Sequence, residues 1–423
     1  MGGLALTPHL ATWGIAALAT LGVITRPMGW PEAVWAVLGA AALVLLGLLP
    51  ASAAWDGVLK GGDVYLFLVG MMLMAEVARK EGLFEWLAGL AVRAARGSPS
   101  RLFALVYAVG TLVTVFLSND ACAVVLTPAV YAATRAARVR DPLPYLFICA
   151  FIANAASFVL PISNPANLVV FADDLPPLTR WLSLFALPSA LAIGATYAVL
   201  RITQGPALRA QSVATETEAA PLSRTGLVAG LGIVATGAVL IGASALGRDL
   251  GLPTFAAGLA TTLTVLLMRR GGLVTVVRDV SWGVLPLVAG LFVLVEALER
   301  TGLLGRIADG LKMAAASAPE ATAWGAGALV ALLANGVNNL PAGLIAGAAV
   351  QAAALPERIA GAVLIGIDLG PNLSVTGSLA TILWLTALRR EGLDVGFWRF
   401  LKLGALVMPP ALALALAGLL LVP

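Results

Sequence analysis

Long apolar segments follow one another along most of this chain, and they constrain its fold more than any other feature. Eight windows are long enough to cross the roughly 30 Å hydrocarbon core of a bilayer. They cover about residues 10–25, 30–50, 62–79, 180–201, 224–247, 253–268, 282–299 and 400–421. Only 11% of the 423 residues are charged, whereas roughly a quarter are charged in soluble domains. The sequence therefore predicts an all-α polytopic membrane protein.

Two further windows, residues 100–138 and 321–355, each carry an asparagine-rich break near the middle. The first break is Ser118-Asn119-Asp120 and the second is Asn338-Asn339-Leu340-Pro341. Each half of such a window has only about 17 or 18 residues, which is marginal for crossing a bilayer. We therefore expect two re-entrant helical hairpins, with the asparagines at their tips.

Another pair of apolar windows, residues 142–171 and 357–388, is too long for single straight helices. Pro161-Ile162-Ser163-Asn164-Pro165-Ala166-Asn167 interrupts the first, and the segment from Gly370-Pro371-Asn372 to Thr376-Gly377-Ser378 interrupts the second. Both are predicted to be broken helices. Interrupted segments at corresponding positions of two halves are typical of the binding sites of secondary transporters.

A constant spacing relates the two halves of the chain. Asn119 and Asn339 lie 220 residues apart (339 − 119 = 220), and the same offset relates Glu76 to Glu296. Residues 1–201 and 224–423 are expected to form two repeats, joined by a cytoplasmic linker at 202–223. Each repeat would hold five spans and one hairpin, giving about ten spans in all. Five is an odd number, so the second repeat enters the membrane from the opposite side and the repeats are inverted.

The distribution of positive charges predicts which side of the membrane each loop faces. With the linker in the cytoplasm, most Arg and Lys residues fall on the inner face, as membrane proteins require. Both chain ends then come out on the outer face. The loop with Asp173-Asp174 also falls outside, and the linker is polar at Thr215-Glu216-Thr217-Glu218.

Two local features accompany the repeats. Segments 80–97 and 301–317 have the pattern of amphipathic helices that lie along the membrane surface. Glu76 and Glu296 precede Arg79 and Arg300 by three or four residues on one helical face, which favours ion pairing at the surface.

Polar side chains at the tips and helix breaks are the candidates for substrate binding, because amides and hydroxyls at membrane depth are costly unless they line a cavity or bind something. The predicted substrate-binding residues are Ser118, Asn119, Asn164, Asn167, Asn338, Asn339, Asn372, Thr376 and Ser378, with Ser163 and Asn335 nearby.

Asp120 is the first candidate for proton coupling. It lies at a hairpin tip between apolar residues, and burial disfavours the charged form of a carboxyl group. The second hairpin has Leu340 in its place, so this carboxylate does not follow from a general need for helix capping. Asp368, beside the second helix break, is the other candidate.

Composition excludes several other kinds of site. His9 is the only histidine and lies near the terminus, so a Ser–His hydrolase lacks its base and histidine-based metal sites are excluded. We expect no cofactor, no structural metal, no nucleic-acid partner and no enzymatic activity. A paired-aspartate protease using Asp120 and Asp368 is open on composition alone, but the repeats and the asparagine tips argue against it.

These motifs together resemble the arsenite/antimonite efflux permeases (ArsB type) of the ion transporter superfamily. The resemblance spans nearly the whole chain. It is carried by the tip and break motifs given above, with Leu126-Thr127-Pro128 following the first tip. The most specific block runs from Asp368-Leu369-Gly370-Pro371-Asn372-Leu373 to Gly377-Ser378-Leu379-Ala380-Thr381. The dicarboxylate branch of the superfamily carries Ser-Asn-Thr at both tips instead.

The resemblance implies a multi-pass protein of the bacterial cytoplasmic (inner) membrane, with a scaffold domain and a transport domain. It implies export of arsenite or antimonite as the neutral trihydroxide, in exchange for protons. A homodimer through the scaffold is among the expectations, and some members of the family have a partner ATPase subunit. Trivalent arsenic binds thiolates tightly, yet only Cys122 lies near a tip, and we expect it to be a packing residue rather than an arsenic ligand.

A second reading is another carrier of the same superfamily, either a sodium/proton antiporter or an organic-anion (dicarboxylate) transporter. The charge of the substrate discriminates between an arsenite exporter and this second reading. An anion carrier is expected to offer fixed positive charge near its site, and no Arg or Lys lies in the core of either hairpin or broken helix.

Overall fold

The computed structural model describes residues 3–171, 175–214 and 221–422. The described residues form helices joined by short turns, with no strand among them, so the predicted all-α class is confirmed. Apolar segments this long bury their backbone hydrogen bonds most simply as helices. The predicted polar stretches Asp173-Asp174 and Thr215-Glu216-Thr217-Glu218 lie outside the described residues.

The first half of the chain contains eleven helices among its described residues. They are α1 (Gly3–Thr25), α2 (Glu32–Leu45), α3 (Ala51–Lys60), α4 (Gly62–Lys80), α5 (Leu83–Ala95), α6 (Pro99–Phe116), α7 (Asn119–Ala121), α8 (Thr127–Ala136), α9 (Leu143–Ala155), α10 (Pro165–Phe171) and α11 (Leu178–Thr203). A π-helical turn, Cys122–Leu126, joins α7 to α8, and a 3₁₀ turn, Pro161–Ser163, precedes α10.

The second half repeats much of this order. After α12 (Gly205–Arg209) come α13 (Arg224–Ala245), α14 (Gly251–Arg269), α15 (Leu273–Asp279), α16 (Val284–Arg300), α17 (Leu303–Ser317), α18 (Pro319–Val337), α19 (Asn339–Ala352), α20 (Glu357–Leu369), α21 (Leu379–Arg390) and α22 (Phe397–Leu421). A 3₁₀ turn, Gly370–Leu373, follows α20.

The lengths of the helices do not by themselves determine how many times the chain crosses the membrane. Seven helical segments among the described residues are long and apolar enough to cross a membrane, or eight if α3 and α4, bent by 48°, form one span. The window predicted at 30–50 is the shorter helix α2, of 14 residues. The count of ten spans and the re-entrant path of the hairpins stay predictions, whereas the helix breaks at both tips are present.

Small residues let the scaffold helices approach one another closely. A Cβ atom on Gly258 of α14 would lie 2.4 Å from the carbonyl oxygen of Gly70 in α4. Likewise, a Cβ atom on Gly290 of α16 would lie 2.8 Å from the backbone of Ala36 in α2. Gly70 and Gly290 are separated by the repeat offset (290 − 70 = 220), and each contacts a helix of the opposite half of the chain.

The predicted ion pairs form, but their carboxylates are buried rather than at the surface. Glu76 accepts from Arg79 at 2.6 Å, and Glu296 accepts from Arg300 at 2.8 Å. Lys60, at the end of α3, adds a 2.7 Å contact to Glu296. The Glu76 and Glu296 residues are only 8% and 7% exposed, because the neighbouring helices cover them. The prediction of surface pairs was therefore wrong in its location.

The segment predicted as a polar linker, 202–223, is partly helical and packed. Helix α11 continues to Thr203, and α12 follows at Gly205–Arg209. The backbone N–H of Ala214 donates to the carbonyl of Ala137 at 2.9 Å. Within its described part, the linker is therefore attached to the end of the first hairpin.

Candidate functional site

The first hairpin tip is a sharp break between α6 and α7. Ser118 caps α7: its Oγ accepts a hydrogen bond from the N–H of Ala121 at 3.1 Å. Asn119 Oδ1 accepts from the N–H of Asp120 at 2.9 Å. Asn119 is buried, whereas Ser118 and Asp120 are half-buried. The two small polar residues thus satisfy N–H groups that a helix start leaves without partners.

The second tip holds Asn338 in a strained backbone conformation. Its φ is 71° and its ψ is 152°, a region of the Ramachandran map that is populated essentially by glycine. Its Oδ1 caps α19 by accepting from the N–H of Leu340 at 3.4 Å. The N–H of Asn339 donates to the carbonyl of Gly377 at 2.8 Å. The tip is therefore fastened to the break that precedes α21.

Asn335, one turn before this tip, organises the break between α20 and α21. Its Nδ2 donates to the carbonyl of Gly370 at 2.9 Å, and its Oδ1 accepts from Ser374 Oγ at 2.8 Å. Thr376 Oγ1 donates to the carbonyl of Asn335 at 3.1 Å. Ser378 then caps α21 by accepting from the N–H of Thr381 at 3.2 Å. Hydroxyls and amides thereby replace the missing helical bonds of a buried, non-helical segment.

The break between α9 and α10 is held in a similar way. Asn167 Nδ2 donates to the carbonyls of Ser157 at 2.8 Å and Leu160 at 3.2 Å. Ser163 Oγ donates to the carbonyl of Val115 at 2.9 Å. This last bond joins the break to the end of α6, so the first tip and the first broken helix form one unit.

Hydrogen bonds between buried side chains connect the two halves. Asn164 Nδ2 donates to Asp368 Oδ1 at 2.6 Å. Asn154 Nδ2 donates to Asn372 Oδ1 at 3.0 Å, and Asn372 Nδ2 donates to the carbonyl of Phe151 at 3.1 Å. Asp368, Asn167 and Asn372 have no solvent exposure. We call Asn154, Asn164, Asn167, Asp368 and Asn372 the central network.

Contacts between helices also cross from one half to the other. The tip helix of the first hairpin, α7, contacts α21, and α19 of the second hairpin contacts α10. Gln351 Nε2 at the end of α19 donates to the carbonyl of Val170 in α10 at 3.1 Å. Each hairpin therefore lies against the broken helix of the opposite half.

A second offset relates the broken helices. Helices α9 and α20 begin 214 residues apart (357 − 143 = 214), as do α10 and α21 (379 − 165 = 214). The same offset relates Asn154 to Asp368 (368 − 154 = 214) and Asn164 to Ser378 (378 − 164 = 214). One repeat thus carries an amide where the other carries a carboxylate.

The central network has more acceptors than donors. Three buried oxygens accept no hydrogen bond of normal geometry from the described residues: Asp368 Oδ2, Asn154 Oδ1 and Asn167 Oδ1. The Ser157 hydroxyl lies near the Asp368 carboxyl group, but it donates to the carbonyl of Asn154 at 2.8 Å. No Arg or Lys takes part in the hydrogen bonds that this network makes with the rest of the described chain. A bound group that donates hydrogen bonds would satisfy these oxygens.

The predicted site residues divide into groups. Within the central network, Asn164 pairs with Asp368, Asn372 pairs with Asn154, and Asn167 is linked to Asn154 through Ser157. Asn338, Asn339, Thr376 and Ser378 lie around the second break. Ser118, Asn119 and Asp120 lie at the first tip and bond locally. Sequence reasoning missed Asn154 and Ser374. The offset of 214 identifies Asn154 as the counterpart of Asp368, so aligning the broken helices separately from the hairpins would have found it.

The two cysteines, which are distant in sequence, contact each other. Cys122 Sγ in the π-helical turn lies 3.5 Å from the carbonyl oxygen of Cys149 in α9, and both residues are fully buried. The described residues contain no group of three or more His, Cys, Asp and Glu side chains able to hold a metal ion. Cys122 lies behind the first tip, among apolar side chains, and its role as an arsenic ligand stays untested.

The citrate transporter family (CitMHS) matches residues 20–388 of the chain. The chain belongs to this family. It is 27% identical over 428 residues to an arsenical pump membrane protein of Yersinia enterocolitica, covering 98% of this chain and 96% of that protein. This confirms the resemblance to arsenite-type permeases and makes this CitMHS member a membrane transporter.

Solved structures agree with the fold. The YdaH transporter of Alcanivorax borkumensis matches the CitMHS member with a TM-score of 0.56 and 17% identity, covering 98% of this chain and 97% of that one. MtrF of Neisseria gonorrhoeae, from a class of antimetabolite efflux pumps, matches with a TM-score of 0.58 and 13% identity, covering 88% and 84%. At these identities the likeness concerns the helical transporter architecture alone. The CitMHS member is thus a multi-pass membrane protein.

Proposed function

We propose that this transporter exports trivalent arsenic or antimony as the neutral trihydroxide, in exchange for protons, across the bacterial cytoplasmic membrane. The name of the relatives, arsenical pump membrane protein, supports this substrate class. The two repeats with inverted orientation, the cytoplasmic linker and the outward-facing chain ends belong to the same proposal. They would let the hairpins and broken helices of both halves meet at the bilayer midplane.

The unpaired oxygens of the central network are the observation that carries the substrate proposal. Asp368 Oδ2, Asn154 Oδ1 and Asn167 Oδ1 are buried acceptors that receive no hydrogen bond of normal geometry from the described residues. A trihydroxide has three O–H groups and no charge, so it supplies donors without requiring a counter-charge. Hydroxyl and amide contacts also release such a solute more readily than a cluster of thiolates would, because trivalent arsenic binds soft sulfur ligands tightly.

Asp368 is the better candidate for the proton carrier. It is fully buried, its one amide donor is Asn164, and no cation pairs with it among the described residues. A buried carboxylate without a paired charge is costly, and taking up a proton removes that cost. Asp120, which the sequence favours, is half-buried at the first tip and bonds to none of the central network. It is the second candidate.

An organic-anion carrier is the alternative, because the matching family is described as a citrate transporter. Citrate carries several negative charges and needs donors or fixed positive charge around it. The central network offers the opposite, an excess of oxygens and no Arg or Lys. The geometry therefore favours the neutral, donor-rich solute.

Transport into inverted membrane vesicles tests the proposal. Arsenite uptake would be measured with and without an imposed pH gradient, for the native chain, Asp368→Asn and Asp120→Asn, with labelled citrate as a parallel substrate. We expect gradient-driven arsenite uptake that Asp368→Asn abolishes and Asp120→Asn leaves. Loss in Asp120→Asn alone would move the proton site to the tip. Citrate uptake without arsenite uptake would establish the alternative.

A further inference from the structure

A cavity of about 410 Å³ lies at the corner where α5 passes into α6. Its lining consists of Ala94, Arg96, Arg101, Ala104 and Leu105. Arg96 ends α5 in a left-handed conformation with φ 49°, and Ser98 caps α6 by accepting from the N–H of Arg101 at 3.3 Å. The turn therefore holds two guanidinium groups and a short apolar wall around one space.

Neither arginine has a carboxylate partner. Arg96 and Arg101 are exposed, and neither takes part in a salt bridge among the described residues. A third positive group lies next to them, because Arg201 Nη2 donates to Ser100 Oγ at 2.8 Å. The corner thus concentrates positive charge that no carboxylate among the described residues pairs with.

The position of the cavity indicates the kind of ligand. Helix α6 is apolar and long enough to cross a membrane, and the cavity lies at its first turns, where such a helix meets the headgroup region. Charged groups at the rim and Ala104 and Leu105 on the wall match a molecule with an anionic head and an apolar tail. We propose that this corner binds the headgroup of an acidic membrane phospholipid, with an acyl chain along α6.

The second repeat provides a comparison within the same chain. Its equivalent corner, between α17 and α18, carries Ala316 in place of Arg96 (316 − 96 = 220) and Ala321 in place of Arg101 (321 − 101 = 220). The corner therefore folds without basic residues. In the proposed inverted arrangement the two corners face opposite sides of the membrane, and the basic one faces the cytoplasm, whose leaflet carries the negative surface potential.

This corner connects α5 to α6, which is the first arm of the predicted hairpin. The hairpin would move relative to α5 during transport. The ligand bound there would fix the angle between α5 and the first hairpin, which continues from α6 through Ser118 to α7. The lipid site requires only the fold and the arginines, so it stands or fails independently of the proposed substrate.

Lipid retention by the full-length protein tests the inference. The purified native chain and Arg96→Ala/Arg101→Ala, which reproduces the residues of the second repeat, would be reconstituted with phosphatidylcholine and phosphatidylglycerol and analysed by native mass spectrometry. We expect roughly tenfold weaker retention of phosphatidylglycerol by the double variant. Arg93→Ala is the matched control, since Arg93 is exposed on the same helix but does not line the cavity.

Three outcomes would overturn the inference. Equal retention by the native chain and the double variant would show that the arginines do not hold the lipid. Equal loss in Arg93→Ala would show general surface attraction rather than a site. Thermal stabilisation of the detergent-solubilised protein by glycerol phosphate or inorganic phosphate, matching that by the lipid, would replace the phospholipid with a free phosphate ligand.

Discussion

Asn164 Nδ2 donates a hydrogen bond of 2.6 Å to Asp368 Oδ1, and the two residues belong to opposite halves of the chain. The same Asn164 caps α10, since its Oδ1 accepts from the N–H of Ala166 at 3.1 Å. One amide side chain therefore contacts both the candidate proton carrier and the start of a helix that packs on the second hairpin. A change in the charge of Asp368 would act directly on the position of α10.

The Asn164–Asp368 bond is expected to couple the two residues energetically. A double-mutant cycle with Asn164→Ala and Asp368→Ala should give a coupling energy of about 1–3 kcal/mol, because each variant removes one partner of a buried hydrogen bond. Thermal or denaturant unfolding of the four proteins in detergent measures it. The same cycle with Asn164→Ala and Glu299→Gln, far outside the network, should give coupling near zero. Equal values in both cycles would refute the direct interaction.

Two substitutions of Asn338 distinguish the contribution of its backbone conformation from that of its amide side chain. Its φ of 71° and ψ of 152° suit glycine, so Asn338→Gly should keep or raise stability by up to about 1 kcal/mol. Asn338→Ala, which retains a Cβ, should destabilise by about 1–3 kcal/mol. If the amide binds substrate, both variants should lose arsenite transport. Full transport by Asn338→Gly would mean that the tip needs only the turn.

Close packing of α18 on the second broken helix depends on Gly370. A Cβ atom there would lie 2.3 Å from the carbonyl oxygen of Ala331, so Gly370→Ala should cost about 1–3 kcal/mol through backbone displacement. Gly325, in the same α18, has nothing within 4 Å of a Cβ atom. Gly325→Ala should therefore be neutral or slightly stabilising. The melting temperatures of the two purified variants test this prediction. Similar values would contradict the close approach of Gly370 to Ala331.

The contacting cysteines are expected to serve packing alone. Cys122→Ala/Cys149→Ala should retain arsenite transport, with a stability loss of roughly 1–3 kcal/mol from two small cavities. Cys122→Ser/Cys149→Ser should be less stable, since it places hydroxyls in a fully buried site. Uptake into vesicles, normalised to the amount of folded protein, checks this. Loss of uptake in a well-folded alanine variant would make the thiols arsenic ligands after all.

The two carboxylates of α16 that contact Lys60 should stabilise the protein to different extents, because one is buried and the other is exposed. Glu296 and Glu299 both contact Lys60, at 2.7 and 3.3 Å, but their side chains are 7% and 55% exposed. Glu296→Gln removes the buried carboxylate that Lys60 and Arg300 share and should cost about 1–2 kcal/mol, since water can solvate the two half-exposed cations. Glu299→Gln should cost less than about 1 kcal/mol. Unfolding of both variants at low and high salt measures the difference, and the reverse order would contradict the assigned burial.

Sequence patterns found the helix breaks because their cause is local. Asn119 and Asn339 follow interruptions of long apolar segments, and a polar amide there has few roles other than capping or binding. The offset of 220 in turn related the hairpins correctly. The broken helices are related by a different offset, 214, because the chain between the tip and the broken helix is six residues shorter in the second repeat. Asn154 was overlooked for that reason.

The sequence by itself determined the all-α membrane class, the two breaks and the family, since apolar segment length and the chemistry of amides depend only on nearby residues. The tertiary structure decided which polar groups meet. Asp368 lies beside Asn164, 204 residues away in the chain, while Asp120, equally prominent in sequence, bonds to none of the central network. Burial decided as well: Glu76 and Glu296 resemble surface residues until neighbouring helices cover them. Such partnerships depend on how helices from two halves pack, and that information is not contained in any single segment.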